Sequence, residues 1–158
     1  MAITLDGTNG ITGPATKAIV GTTTNDSAAA GYVGEYVSAS SGSGAIGSSS
    51  TWSSIASLSL TAGDWDTSLT AVFLRSGATW TEIYAQITSV ANSGAGGTMG
   101  SNYVAFTPPP STADYLPLAI PSYRVSISST TTYYFNAYVS YIGGPPLVGY
   151  RISARRVR

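Results

Sequence analysis

The stretch Ile55–Phe73, IASLSLTAGDWDTSLTAVF, decides the fold class. In an extended chain Ala56, Leu58 and Leu60 fall on one face, with Ser57 and Ser59 on the other. The alternation breaks at Thr61-Ala62-Gly63-Asp64, where glycine supplies the backbone freedom of a tight turn. It resumes with Leu69, Ala71 and Phe73 against Thr70 and Val72. Two period-two runs about a Gly-Asp turn predict a β-hairpin or a corner between two strands. The pattern fixes local structure and carries no chemistry.

Downstream, Ala78 to Val90 reads as a long strand, with Ile83, Ala85 and Ile87 on one face and Trp80, Glu82, Tyr84 and Gln86 on the other. Asn92 to Asn102, NSGAGGTMGSN, is too rich in glycine for a regular element. Tyr103 to Phe106 is a short strand ended by Pro108-Pro109-Pro110, which have no backbone donors. Leu116 to Pro121 is extended, and Ser122 to Ser128 is a strand with Tyr123, Val125 and Ile127 on one side and Arg124 on the other. Thr130 to Ile142 is the strongest β segment: Tyr133, Phe135, Ala137, Val139 and Tyr141 face one way, Tyr134, Asn136 and Tyr138 the other. After a turn at Gly143-Gly144-Pro145-Pro146, a last strand carries Val148, Tyr150, Ile152 and Ala154.

Upstream, Met1 to Thr12 alternates Ile3 and Leu5 and passes through Asp6-Gly7 and Asn9-Gly10, a short strand followed by turns. Gly13 to Asn25, with Pro14 and a threonine run, reads as a linker, and Ala15 to Val20 is long enough for one helical turn. In Gly31 to Val37, Tyr32, Gly34 and Tyr36 share one face and Val33, Glu35 and Val37 the other. Glu35 is then either buried and paired or at an edge. Ser38 to Ser50 is Ser/Gly-rich and reads as a mobile loop. With no helix-length run of helical periodicity and many short strands between Gly/Pro turns, the expected class is all-β, an antiparallel β-sandwich or jelly roll. The expected division is 1–24, an extended attachment strand and linker, and 25–158, a β-sandwich knob.

Composition removes whole classes of chemistry. The 158 residues contain no histidine and no cysteine. That excludes Cys/His nucleophiles, Ser-His-Asp triads, the usual zinc sites and disulfides. No cofactor is expected. Charged residues make up 9% and balance at seven of each sign, with Lys17 the single lysine. A neutral surface so poor in lysine is weakly protected against association and suits an interface, so an oligomer is expected. No apolar run reaches the ~18–20 residues of a membrane helix, and no basic segment precedes an apolar core at the N-terminus. Neither membrane insertion nor a recognisable export signal is expected.

Three features of the sequence bear on chemistry. Asp64-Trp65-Asp66 puts two carboxyls on one side of a strand, roughly 6–7 Å apart, a separation glycosidases use. Those enzymes take their acids from different elements, so a turn-forming Asp64 and a corner-packing Trp65 are expected and no enzymatic activity is. The C-terminal RISARRVR holds Arg151, Arg155, Arg156 and Arg158. With zero net charge this favours a strand edge or forked salt bridges over phosphate contacts, and no nucleic-acid partner is expected. Trp52, Trp65, Trp80 and the tyrosines are core or interface residues or stack on a ligand, and the sequence does not sort them.

The opening MAITLDGTNGIT resembles the start of small tail-fibre and spike proteins of tailed bacteriophages. NDSAAAGYVGEYVSAS (Asn25 to Ser40), SLSLTAGDWDTS (Ser57 to Ser68) and the closing RISARRVR resemble a module at the C-terminal ends of such fibres. The resemblance implies a homotrimeric virion structural protein on the exterior of the particle. A short N-terminal peptide would attach it to other virion proteins, and a β knob would project toward the host surface and its polysaccharide. No shaft separates peptide from knob, which suits a capsid-attached head fibre as well as a tail fibre. The runner-up is a decoration or adaptor protein with no receptor role. Ile3, Leu5 and Ile11 are the expected attachment residues. Asn92, Asn102, Tyr103 and Tyr115 are the expected recognition residues, and Glu35, Arg151 and Arg155 the expected inter-subunit charge contacts. No catalytic or metal-binding residue carries over.

Overall fold

The computed structural model describes residues 4–6, 10–12, 27–107 and 114–158. Its strands are β1 (Thr4–Asp6), β2 (Gly10–Thr12), β3 (Tyr36–Ala45), β4 (Trp52–Leu60), β5 (Gly63–Leu74), β6 (Thr79–Thr88), β7 (Tyr103–Phe106), β8 (Tyr115–Ile127), β9 (Thr131–Ile142) and β10 (Leu147–Arg156). No helix occurs among the described residues. β1 and β2 pair with each other, Leu5 opposite Ile11. Ile3, the Ala15–Val20 turn and Pro108 to Pro110 lie outside the described residues.

The other eight strands form two antiparallel sheets, ordered β3-β10-β5-β8 and β4-β9-β6-β7, packed as a β-sandwich. The pairing is nested. β3 pairs with β10, β4 with β9, β5 with β8 and β6 with β7. The chain is therefore one long antiparallel hairpin, bent at β6–β7 and rolled across both sheets. Every connection between consecutive strands from β3 onward changes sheet, except β6 to β7.

Period-two alternation fills the space between the sheets. Trp65, Leu69, Ala71 and Phe73 of β5 and Val148, Ile152 and Ala154 of β10 meet Leu58 and Leu60 of β4, Ile83, Ala85 and Ile87 of β6, and Phe135, Ala137 and Val139 of β9. A side chain such as Phe73, fully buried here, contributes roughly 1.5–3 kcal/mol relative to staying in water.

Several local expectations change. Of the two readings of Ile55–Phe73 the corner holds and the hairpin does not: β4 ends in one sheet and β5 begins in the other, so the two runs do not pair. Gly63 makes the corner at φ 139°, and a Cβ there would run into the Arg156 guanidinium. Most of Ser38–Ser50 is strand β3 rather than loop, because β10 supplies hydrogen-bonding partners from Tyr36 to Ala45. Residues 30–34 turn instead of extending, which leaves Tyr32 and Val33 exposed and starts the strand at Tyr36. Trp80 lies in the core with Ile83, because a bulge between Trp80 and Glu82 shifts the alternation by one residue. Leu116–Pro121 and Ser122–Ser128 belong to one strand, β8, which bulges between Ile120 and Tyr123. Its Pro117 and Pro121 are tolerated because β8 is an edge strand.

Candidate functional site

Strand register assembles an aromatic platform on the outer face of the β4-β9-β6-β7 sheet. Trp52, Tyr138 and Tyr84 stand side by side across β4, β9 and β6. Tyr103 of β7 stands one row away, opposite Gln86. All four are half-buried. Tyr84 and Tyr138 stack at 5.2 Å and 17°, and Trp52 lies 5.6 Å from Tyr138 and 6.2 Å from both Tyr84 and Tyr103. Tyr103 meets Tyr84 edge-on at 5.9 Å. Side chains stand roughly perpendicular to a sheet, so the tyrosines carry their polar ends outward from an apolar base.

The loop 89–102 walls this surface, and buried amides hold it. Asn136 donates to Val90 O at 2.7 Å, Ser93 O at 3.3 Å and Thr88 Oγ1 at 3.2 Å. The fully buried Gln86 donates to Ser93 O, while its Oε1 faces Gly97 without a partner. Asn92, at φ 50°, clips the loop to β4: its Oδ1 accepts from Ser54 N at 2.7 Å and its N–H donates to Ser54 Oγ at 2.8 Å. Gly94 lies against the Trp52 indole, where a Cβ would sit 2.6 Å from Nε1. Burial, then the neighbouring Glu82 carboxylate, push the Tyr84 hydroxyl above its ordinary pKa. Burial, then Tyr84 and Glu82, do the same to Tyr103. Both therefore remain protonated donors at neutral pH. Among the described residues Glu82 is the one carboxylate on this face.

A second polar cluster lies where the chain enters the sandwich. Arg156 Nε donates to Glu35 Oε2 at 2.9 Å, Nη1 to Ala62 O at 2.7 Å and Nη2 to Thr61 Oγ1. Its guanidinium lies 4.3 Å from the centre of the Trp65 ring. Glu35 also accepts from Gly31 N at 2.7 Å. Burial alone would raise the Glu35 carboxyl, but the Gly31 amide and Arg156 overcome it and leave the pKa lowered. Alongside, Asp64 accepts from Arg124 at 2.8 Å and from Arg158. Hydrogen bonds from Ser126 and Arg124, then Arg158, bring its pKa down to about 2 against the opposing effect of desolvation. The cluster ties the incoming chain, the corner and β10 together. Asp64, held ionised between two arginines, has no proton to give at neutral pH.

Of the residues singled out in the sequence, Tyr103 and Asn92 come together at the platform. Asn102 is buried instead, donating to Ile87 O at 2.9 Å and Gly96 O at 3.0 Å and accepting from Thr98 N at 2.7 Å, so it braces the loop. Tyr115 is exposed on the other sheet, beside an open groove lined by Val72, Leu74 and Gly149. Glu35 finds its partner within the chain, while Arg151 and Arg155 flank the Tyr36 ring at 5.9 and 5.8 Å. Leu5 and Ile11 lie in the β1–β2 ladder. Sequence reasoning did not bring out Trp52, Tyr84, Tyr138 and Glu82 as a group. Tyrosines on the polar-facing positions of both Ala78–Val90 and Thr130–Ile142 were the available signal. Register, which the sequence does not state, makes them neighbours.

No protein-family model matches the chain, and no curated protein is significantly similar to it.

Proposed function

We propose that the chain is a structural protein of a tailed-phage virion, a short homotrimeric fibre whose knob binds host-surface glycan at the aromatic platform. The observation that carries this is the group Trp52, Tyr84, Tyr103 and Tyr138, half-buried on an outer sheet face where alternation normally places polar residues. Rings with polar tips stack on the apolar faces of pyranoses and hydrogen-bond their hydroxyls. Nested pairing of four antiparallel strand pairs supports the finer reading of the sandwich as a jelly roll, an architecture used by capsid and lectin domains. The motifs at both ends of the chain support the virion assignment. In this reading residues 1–24 attach the protein and 25–158 form the knob. Three linked copies make individually weak glycan contacts durable. The decoration or adaptor reading draws on a different observation, the apolar groove beside Tyr115 on the opposite sheet.

The test is binding of the purified protein to host cells before and after periodate, which cleaves vicinal diols. Binding should be lost after periodate, and Trp52→Ala should weaken binding to untreated cells by roughly tenfold or more, as for an anchoring aromatic. Binding that survives periodate, or that is indifferent to Trp52, overturns the glycan role. Immunogold labelling that finds the protein absent from virions overturns the virion role.

A further inference from the structure

Charge is distributed unequally between the two sheets. Among the described residues, β4, β6, β7, β9 and the loop 89–102 contain one acid and no base: Glu82. Every described arginine belongs to the other sheet, its flanking turns or the residues after it. Arg124 and Arg158 are engaged by Asp64, Arg156 by Glu35 and Arg75 by Asp114. Arg151 and Arg155 lean on Tyr36 of β3. Glu82 shares the outward side of β6 with Tyr84, two residues on, and faces Ser140 of β9. The carboxylate therefore borders the ring cluster beside Tyr84, while Gln86, on the other side of Tyr84 along β6, meets the uncharged loop.

An ionised carboxylate only accepts hydrogen bonds. A neutral sugar can direct two hydroxyl donors at Glu82 while its apolar face rests on the rings. An anionic sugar brings a charge that meets a carboxylate and, among the described residues of this face, no cation, and an uncompensated like charge is a strong device for rejecting a partner. We infer that the platform takes an uncharged, polyhydroxylated glycan and discriminates against polymers bearing uronate, sialate or phosphate, with Glu82 as the residue that sets this specificity. The inference rests on the platform's being the glycan site, and it adds the ligand's charge class and the selecting residue.

Trp52 makes the test direct. Trp65 and Trp80 are buried, so of the three tryptophans only Trp52 can report a ligand at this surface through its fluorescence. The full chain is titrated with neutral oligosaccharides from dextran, mannan and cellulose, and with oligogalacturonate and oligosialic acid. At least one neutral series should perturb the emission, with the anionic series binding at least about tenfold more weakly, the scale of a charged hydrogen bond gained against one opposed. Glu82→Gln should weaken the neutral ligand about tenfold and narrow the gap to the anionic series. Glu82→Asp should weaken the neutral ligand yet keep the rejection. Tighter binding of an anionic series at Trp52 by the unmodified protein, or a neutral-to-anionic ratio unmoved by Glu82→Gln, overturns the inference and leaves the glycan site standing. If no oligosaccharide perturbs Trp52, both fall.

Discussion

Asp64 shows how much one side chain can be made to hold at the corner. Its folded-state pKa, about 2, lies below the ordinary 3.8. The stability it contributes is therefore complete above about pH 4 and disappears as pH falls through 2. Thermal unfolding followed by circular dichroism should show the transition dropping across that window, and Asp64→Asn should flatten this part of the profile. A wild-type profile level between pH 4 and 2 would contradict the ion-pair geometry. The same change should leave binding at the platform intact, since Asp64 belongs to the other sheet. Gly94 is the opposite case, a residue needed for what it lacks. A Cβ there would sit 2.6 Å from Trp52 Nε1 and 2.8 Å from Cε2, closer than real Cβ contacts allow. Gly94→Ala should displace the loop or the indole, shift the tryptophan emission and weaken glycan binding several-fold, with little change in the unfolding midpoint because the loop is exposed. Unchanged emission would mean the loop does not position Trp52.

Among the elements, the β1–β2 hairpin is the proposed attachment segment. Its hydrogen bonds are made within the segment, Thr4 to Thr12 through Asp6 to Gly10. A two-stranded hairpin alone is at best marginally stable, so it gains most by docking on a partner. Deleting residues 1–12 should give a soluble knob with an unchanged thermal transition that no longer joins particles. An unfolded product, or normal occupancy on virions, would refute this division of labour. Legibility also varied by element. β9 and β5 could be read because each sends an apolar row into the core at every second position, so Phe135, Ala137 and Val139 or Leu69, Ala71 and Phe73 appear as clean alternation. β3 could not, because as an edge strand it buries little and its Ser/Gly composition matches a loop, while β10, far away in sequence, supplies its partners. The bulge after Trp80 was equally invisible, since a one-residue shift leaves no compositional trace. The platform failed to appear for the same reason: Trp52, Tyr84, Tyr103 and Tyr138 become a group only through pairing between strands.

At the scale of the whole molecule, a sandwich with few charges leaves Tyr32, Val33, Met99, Tyr115 and Ile142 each about two-thirds or more exposed. Together with β3, an edge strand that has no charged residue or proline to blunt it, this surface supports the proposed trimer. Light scattering coupled to size exclusion should return three times the 16.2 kDa chain mass, and a monomer at micromolar concentration would refute the trimer. The rolled hairpin has a further consequence, for biosynthesis. The β3-β10-β5-β8 sheet has β10 between β3 and β5, and the latch across it joins Glu35 to Arg156 over 121 positions. Until Leu147–Arg156 has left the ribosome, β3 has no neighbour in its sheet and the first half of the chain cannot settle. Such distant closures make folding slow, on the order of milliseconds to seconds, with apolar strands uncovered meanwhile. A ribosome that stalls before residue 147 thus yields a sticky fragment rather than a smaller working domain, and in the producing cell the amount of this protein is governed as much by how promptly translation finishes as by how stable the finished fold is.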